Sequence, residues 1–161
     1  VDCVSEPSPQ FREVVLSALG ETDLLFLNEF EIGQAVGRKV PAERASMEEA
    51  ALELAAKAAR EDTRIIVHAV NGAVVAKRDG SLARHSSVTL PPAEIAGATG
   101  AGDAFAAGFL LGAHDDLDDE ECLCYAVCAA AMSLRDPTPS GGMLKLSECL
   151  ELGRRYGFGE F

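Results

Sequence analysis

Apolar positions along the chain follow two alternating rhythms. Phe11, Val14, Val15 and Leu19 fall at the spacing of one helical face, which predicts a helix over 9–19 that Gly20 stops. The run DLLFLN at 23–28 is almost continuously apolar, as suits a strand buried on both faces of a parallel sheet. NEFEIGQAVG then predicts a short helix ending near Gly37. Ser46 and Glu49 have capping-box spacing, and Met47, Ala50, Leu54 and Ala58 supply the buried stripe of the helix they would open. RIIVHAV at 64–70 predicts a second strand, and the Asp79-Gly80 pair between two extended stretches predicts a hairpin. The segment 101–112, AGDAFAAGFLLG, is small and apolar all round and predicts a fully buried helix. Asp118 and Glu121 would cap a further helix to about Leu134, and a last helix covers about 145–156.

Strands alternating with helices predict an α/β fold. No repeat, low-complexity stretch or linker interrupts the chain, so 1–161 reads as a single domain, long enough for a real core. The opening VDCVSE reads as a strand end and exit loop, as in a chain cut out of something longer.

Charge narrows the partners. A formal net charge of −12, without clustered Lys or Arg, argues against nucleic acid. It leaves room for a small anion, which backbone N–H groups, a helix N-terminus and a metal ion can hold against an unfavourable field. No apolar run reaches membrane-spanning length. The five cysteines, odd in number, and the lack of a secretory segment favour a reducing compartment, so the expected location is the cytoplasm. Cys122, Cys124 and Cys128 lack C-x-x-C spacing and a His nearby in sequence; in an apolar helix they read as small hydrophobes rather than metal ligands. The acidic run 115–121 lacks the alternation of a calcium loop and reads as acids at a helix start.

The segment Thr99-Gly100-Ala101-Gly102-Asp103 carries the chemistry. Small residues let a ligand approach the backbone, and the helix that follows points its free N–H groups at the same spot. Such an anion hole has an unusual feature here, the carboxylate of Asp103 at its lip. Phosphoryl transfer gives that carboxylate a purpose, because the attacking hydroxyl must lose its proton. On spacing alone, a plain helix-start acid explains Asp103 equally well. A Walker loop would need Lys where Asp103 stands, and a dinucleotide fingerprint would need Gly where Phe105 stands.

ATGAGDAFAAGFLLG closely resembles the second signature of ribokinase-like (phosphofructokinase-B) carbohydrate kinases, Asp-Thr-Thr-Gly-Ala-Gly-Asp-x-Phe followed by small residues, Gly and Phe. LNEFEIGQAVG is similar to that family's N-x-x-E motif, VHAVNGAVVAKRDG to its nucleotide-pocket segment, and AAAMSLRDPTPSGGM, with Gly141 and Gly142, to the helix and loop over the adenine. The resemblance implies the C-terminal half of a three-layer α/β/α ribokinase-like fold with a mainly parallel sheet, truncated at its N-terminal side. It further implies Asp103 as the base, Gly100, Ala101 and Gly102 as the anion hole, and Asn28, Asn71, Gly72 and Thr99 at the nucleotide. Glu31 would hold magnesium through water, and the partners would be ATP and a sugar or sugar-like substrate; a homodimer is left open.

Departures from the family pattern are informative. Gly97 and Ala98 replace the first Asp and Thr of the signature, which argues against monovalent-cation activation, and Ala69 replaces a pocket glycine. Family members are about twice this length, so the chain alone is expected to fold poorly or associate, with little kinase activity. Competing expectations are a degenerate nucleotide- or sugar-binding module and a same-fold kinase of nucleosides or vitamin precursors.

Overall fold

The computed structural model describes residues 1–3, 5 and 8–161. The chain divides into two compact units, Val1–Arg84 and His85–Phe161. It is an α/β protein, and the described residues form six helices and one mixed four-stranded sheet.

The first unit contains α1 (Phe11–Ala18), β1 (Leu24–Asn28), α2 (Glu29–Val36), α3 (Arg44–Ala55), β2 (Arg64–Ala69) and β3 (Gly72–Ala76). β4 (Leu82–Ser86) carries the chain into the second unit and completes the order β1-β2-β3-β4. β1 and β2 run parallel, from Leu24 opposite Arg64 to Asn28 opposite His68, whereas β2 and β3 are antiparallel. The strand end expected at the start of the chain exists at Asp2, which makes a parallel bridge to Phe26; Val4 and Glu6 of that stretch lie outside the described residues. The middle of β1 and β2 and all of β3 are buried, which accounts for their nearly continuous apolar runs. α3 lies on β2 and β3, and the side chains of Met47, Ala50 and Leu54 are wholly enclosed. Each enclosed Leu or Ile contributes roughly 1.5–3 kcal/mol.

The start of α3 departs from expectation. The helix opens at Arg44 after Glu43, with the Met47 amide already bonded to the Glu43 carbonyl at 3.0 Å. Ser46 is therefore inside the first turn and caps nothing. Glu49, its intended partner, instead accepts from Arg38 at 2.9 Å.

The second unit contains a 3-10 turn (Pro92–Glu94), α4 (Ala101–His114), α5 (Asp119–Ser133) and α6 (Leu146–Tyr156), with α5 packed on both α4 and α6. The capping box of α5 is formed as expected: the Glu121 amide donates to Asp118 at 2.9 Å, and Glu121 accepts from the Asp118 amide at 3.3 Å. α4 is not buried all round. Phe105, Gly108, Phe109 and Gly112 are enclosed, but Ala107, Leu110 and Leu111 are exposed. α5 covers one face of α4 through Gly108 and Gly112, and a uniformly apolar sequence does not reveal which face lacks a partner. Beyond α6 the chain returns along residues 87–89, where Thr89 N–H donates to Gly157 O and Gly159 N–H to Ser87 O, both at 2.9 Å.

Candidate functional site

In the second unit, Gly100 is the residue before α4. Its φ of 84° is left-handed, and no side chain caps the helix. The Ala101 amide bonds to Ala98 O at 3.2 Å and the Ala104 amide to Gly100 O at 2.9 Å. Among the described residues, the amides of Gly102 and Asp103 between them have no backbone acceptor. Two N–H donors thus remain at the positive end of a helix dipole, the arrangement that receives anions. Gly100, Ala101 and Gly102 are half-buried, while Thr99 and the side chain of Asp103 are exposed.

Why glycine is required at 100 is visible from its neighbour. A side chain there would run into the backbone of Pro139, whose Cα would lie 2.8 Å from the added carbon. Gly97 is similarly close to Pro137, at 3.1 Å. The loop after α5 therefore lies directly against the glycine segment, and Leu134 O accepts from the amides of Ala96 (2.8 Å) and Gly97 (3.2 Å). That loop is tied by Asp136, which accepts from the Thr138 amide at 2.8 Å and holds its carboxyl below the usual range mainly through the Thr138 hydroxyl. Gly141 and Gly142 leave room for the Asp136 side chain, consistent with their expected place in a turn.

In the first unit, Asn28 ends β1 and caps α2. Its side chain accepts from the Glu31 amide at 2.9 Å, and Glu31 accepts in return from the Asn28 amide at 2.8 Å. The other Glu31 oxygen accepts from the Ser5 hydroxyl at 2.7 Å, and Asn28 Nδ2 donates to Ser5 at 2.9 Å. Glu31 is only 3% exposed. Burial, with Glu31 and Asp2 nearby, pushes the Cys3 thiol up to about 11. Asn71 sits in the two-residue turn between β2 and β3; its Nδ2 donates to Ala42 O at 2.7 Å, and its buried Oδ1 has no partner. Gly72, next to it, pairs with Ala69.

The expected residues thus gather as three local sets: Asn28 with Glu31, Asn71 with Gly72, and Thr99 through Asp103. Two neighbours of the first set escaped sequence reasoning. Ser5 carried no signal, being one hydroxyl in a polar stretch. His68 stands beside Asn28 in the parallel register, and burial lowers its pKa to about 4, so it is neutral at neutral pH. Its signal was a polar residue ending an apolar strand. Among the described residues no cluster of His, Cys, Asp and Glu suits a metal ion, and no helix is long and apolar enough to cross a membrane.

The sequence profile of a family, pfkB family carbohydrate kinase, matches residues 1–145. The chain belongs to the pfkB family of carbohydrate kinases. Solved structures agree in fold. A ribokinase from Arabidopsis thaliana complexed with ribose and ATP superposes with a TM-score of 0.75 at 22% identity, covering 94% of this chain and 46% of that one. The 2-dehydro-3-deoxygluconokinase of Thermotoga maritima gives 0.75 at 18% identity, with 95% and 49% covered. A ribokinase II from E. coli in complex with ATP and Mg2+ gives 0.71 at 22% identity, with 91% and 44% covered. The pfkB chain described here therefore spans just under half the length of these relatives. No curated protein sequence matches it.

Proposed function

We propose that this pfkB-family chain supplies the ATP-facing part of a kinase that phosphorylates a hydroxyl of a sugar or sugar-like substrate, with Asp103 as general base. The observation that carries this reading is the start of α4, where two unpartnered amides and an exposed carboxylate share one helical turn. A carboxylate would weaken a site that only held phosphate. It suits a site where a hydroxyl must lose a proton as the phosphoryl group arrives. In this reading Asp103 takes that proton, and the amides of Gly102 and Asp103, freed by the turn at Gly100 and Ala101, stabilise charge on the transferred group. On the family resemblance, Asn28, Asn71 and Gly72 of the first unit are assigned to the nucleotide, as is Thr99 of the second.

In this reading Glu31 would hold magnesium through water, as the family resemblance implies; each of its oxygens already accepts one hydrogen bond and keeps one further lone pair that a metal-bound water could donate to. When bound, magnesium would neutralise charge on the phosphates. Gly97 lacks the carboxylate its family counterpart offers, and a side chain there would press on Pro137; turnover is accordingly independent of potassium in this reading.

The test is ADP release by a longer protein containing this chain, against a panel of sugars and nucleosides. Asp103→Asn should lower kcat by about 10²–10⁴-fold with ATP affinity little changed. Equal turnover in the variant would remove Asp103 from the chemistry. ATP binding without turnover on any substrate would favour the degenerate binding module.

A further inference from the structure

The segment that leads into α4 has little of its own to hold it. Ala96, Ala98 and Thr99 are exposed, and the prolines packed against its glycines, Pro137 and Pro139, are themselves on the surface. Its fixed points come from the end of α5. Leu134 O accepts from the amides of both Ala96 and Gly97. Just before them, Glu94 closes the 3-10 turn, its amide donating to Pro91 O at 2.9 Å. The Glu94 carboxylate accepts from Arg135 Nε at 2.8 Å. Arg135 is anchored in turn on α5: its Nη1 lies 3.8 Å from Met132 Sδ, and its amide donates to Met132 O at 3.2 Å. Met132 is buried, whereas the side chains of Glu94 and Arg135 are 33% and 35% exposed. The ion pair thus ties a surface turn to a buried helix end, immediately beside the backbone bonds to Leu134.

We propose that Glu94 and Arg135 form a positioning pair, which holds the glycine segment against the loop after α5 and so aims the free amides of Gly102 and Asp103. Neither residue is assigned to substrate or nucleotide; both act through the backbone. Gly97 hangs on Leu134 O, Ala98 follows it, and Ala98 O receives the Ala101 amide that opens the helix. The direction of the first turn is therefore inherited from the segment before it. In the kinase reading above, on which this role rests, the arriving phosphoryl group meets both amides only while that segment is held. Aim matters steeply, since a displacement of about 1 Å can cost on the order of 10²-fold in rate.

An exposed segment with few apolar contacts lies at the low end of local stability, so its held and released forms are close in population. A pair worth little to the whole fold then decides between them. Exposed ion pairs move such a balance by up to about fivefold, and like charges oppose it by a similar factor.

The experiment uses the longer protein containing this chain and follows ADP release, ATP binding and hydrogen exchange of the peptide carrying Ala96 and Gly97. Glu94→Gln should lower kcat about threefold and Arg135→Glu roughly tenfold, with KM for the hydroxyl substrate and Tm little changed. Both should speed exchange of the peptide. Combining Glu94→Arg with Arg135→Glu should restore kcat and slow exchange again, which simple loss of packing at either position would not do. Exchange unchanged in both single variants would overturn the pair. Asp103→Asn separates its failure from that of the kinase reading. Turnover lost in Asp103→Asn but unchanged in Arg135→Glu keeps the base and overturns the pair; turnover kept in Asp103→Asn but lowered in Arg135→Glu keeps the pair and removes the base. If the wild type binds ATP without turnover, the kinase reading fails, and the pair stands or falls on exchange and its recovery in the double reversal.

Discussion

Gly100 and Gly80 both hold φ in the left-handed region, at 84° and 87°, but their surroundings differ. Nothing lies within reach of a side chain at Gly80, whereas Gly100 is pressed against the backbone of Pro139. Gly80→Ala should therefore cost only the conformational penalty, about 1 kcal/mol. Gly100→Ala adds a collision with main-chain atoms that no rotamer change relieves, for a total of about 2–5 kcal/mol. Urea unfolding of the two variants measures the difference, and equal midpoints would show that the loop at 137–139 simply moves aside. Legibility at this scale was uneven. The strain at Gly100 could be suspected from the glycine segment, but its cause, Pro139, is 39 positions away in the chain and invisible to local pattern. Asn28 and Glu31 show another limit: one spacing serves both a capping box and a ligand set, and the capping box is formed.

Between elements, α4 comes close to the backbone of α5 at Gly108. A side chain there would meet Tyr125 O at 2.7 Å and Ala126 Cα at 2.9 Å. Alanine is the better helix former by nearly 1 kcal/mol, yet the neighbours are backbone atoms, and separating two packed helices costs about 1–3 kcal/mol. Gly108→Ala is expected to lower the Tm of the chain despite its better propensity; a raised Tm would mean the helices separate freely. The same competition explains which elements could be read. The S/T/D-x-x-E spacing occurs at both Asp118 and Ser46, and only Asp118 caps a helix, because Arg38 draws Glu49 away and α3 starts earlier. The turn between β2 and β3 was missed for a related reason. Its central residues are Val70 and Asn71, while the conspicuous Gly72 is already the first residue of β3. An Asn-Gly pair marks a turn only when both residues occupy its centre, so the extended stretch that forms β3 was readable but its antiparallel pairing with β2 was not.

For the whole chain, the alternation of strand and helix was enough to fix the fold class, since burying a strand on both faces and a helix on one follows directly from apolar rhythm. What rhythm could not supply was the set of surfaces left without cover. On α4, Leu110 and Leu111 are 48% and 41% exposed beside Ala107, and in the first unit Phe30 is 50% exposed. The chain also spans just under half of the related structures it matches. Isolated in solution, the 161-residue chain should therefore self-associate and show little kinase activity. Two forces oppose each other in that association. The net charge of −12 holds copies apart, and apolar area draws them together. Added salt screens the first and leaves the second, the Debye length falling to about 8 Å at physiological ionic strength. Sedimentation velocity should accordingly show mass rising with both protein and salt concentration, and Leu110→Glu with Leu111→Glu should reduce it at every salt concentration. If salt instead disperses the assemblies, ion pairs rather than the α4 stripe hold them; a monomer with full activity at all concentrations would show that those exposed residues need no partner.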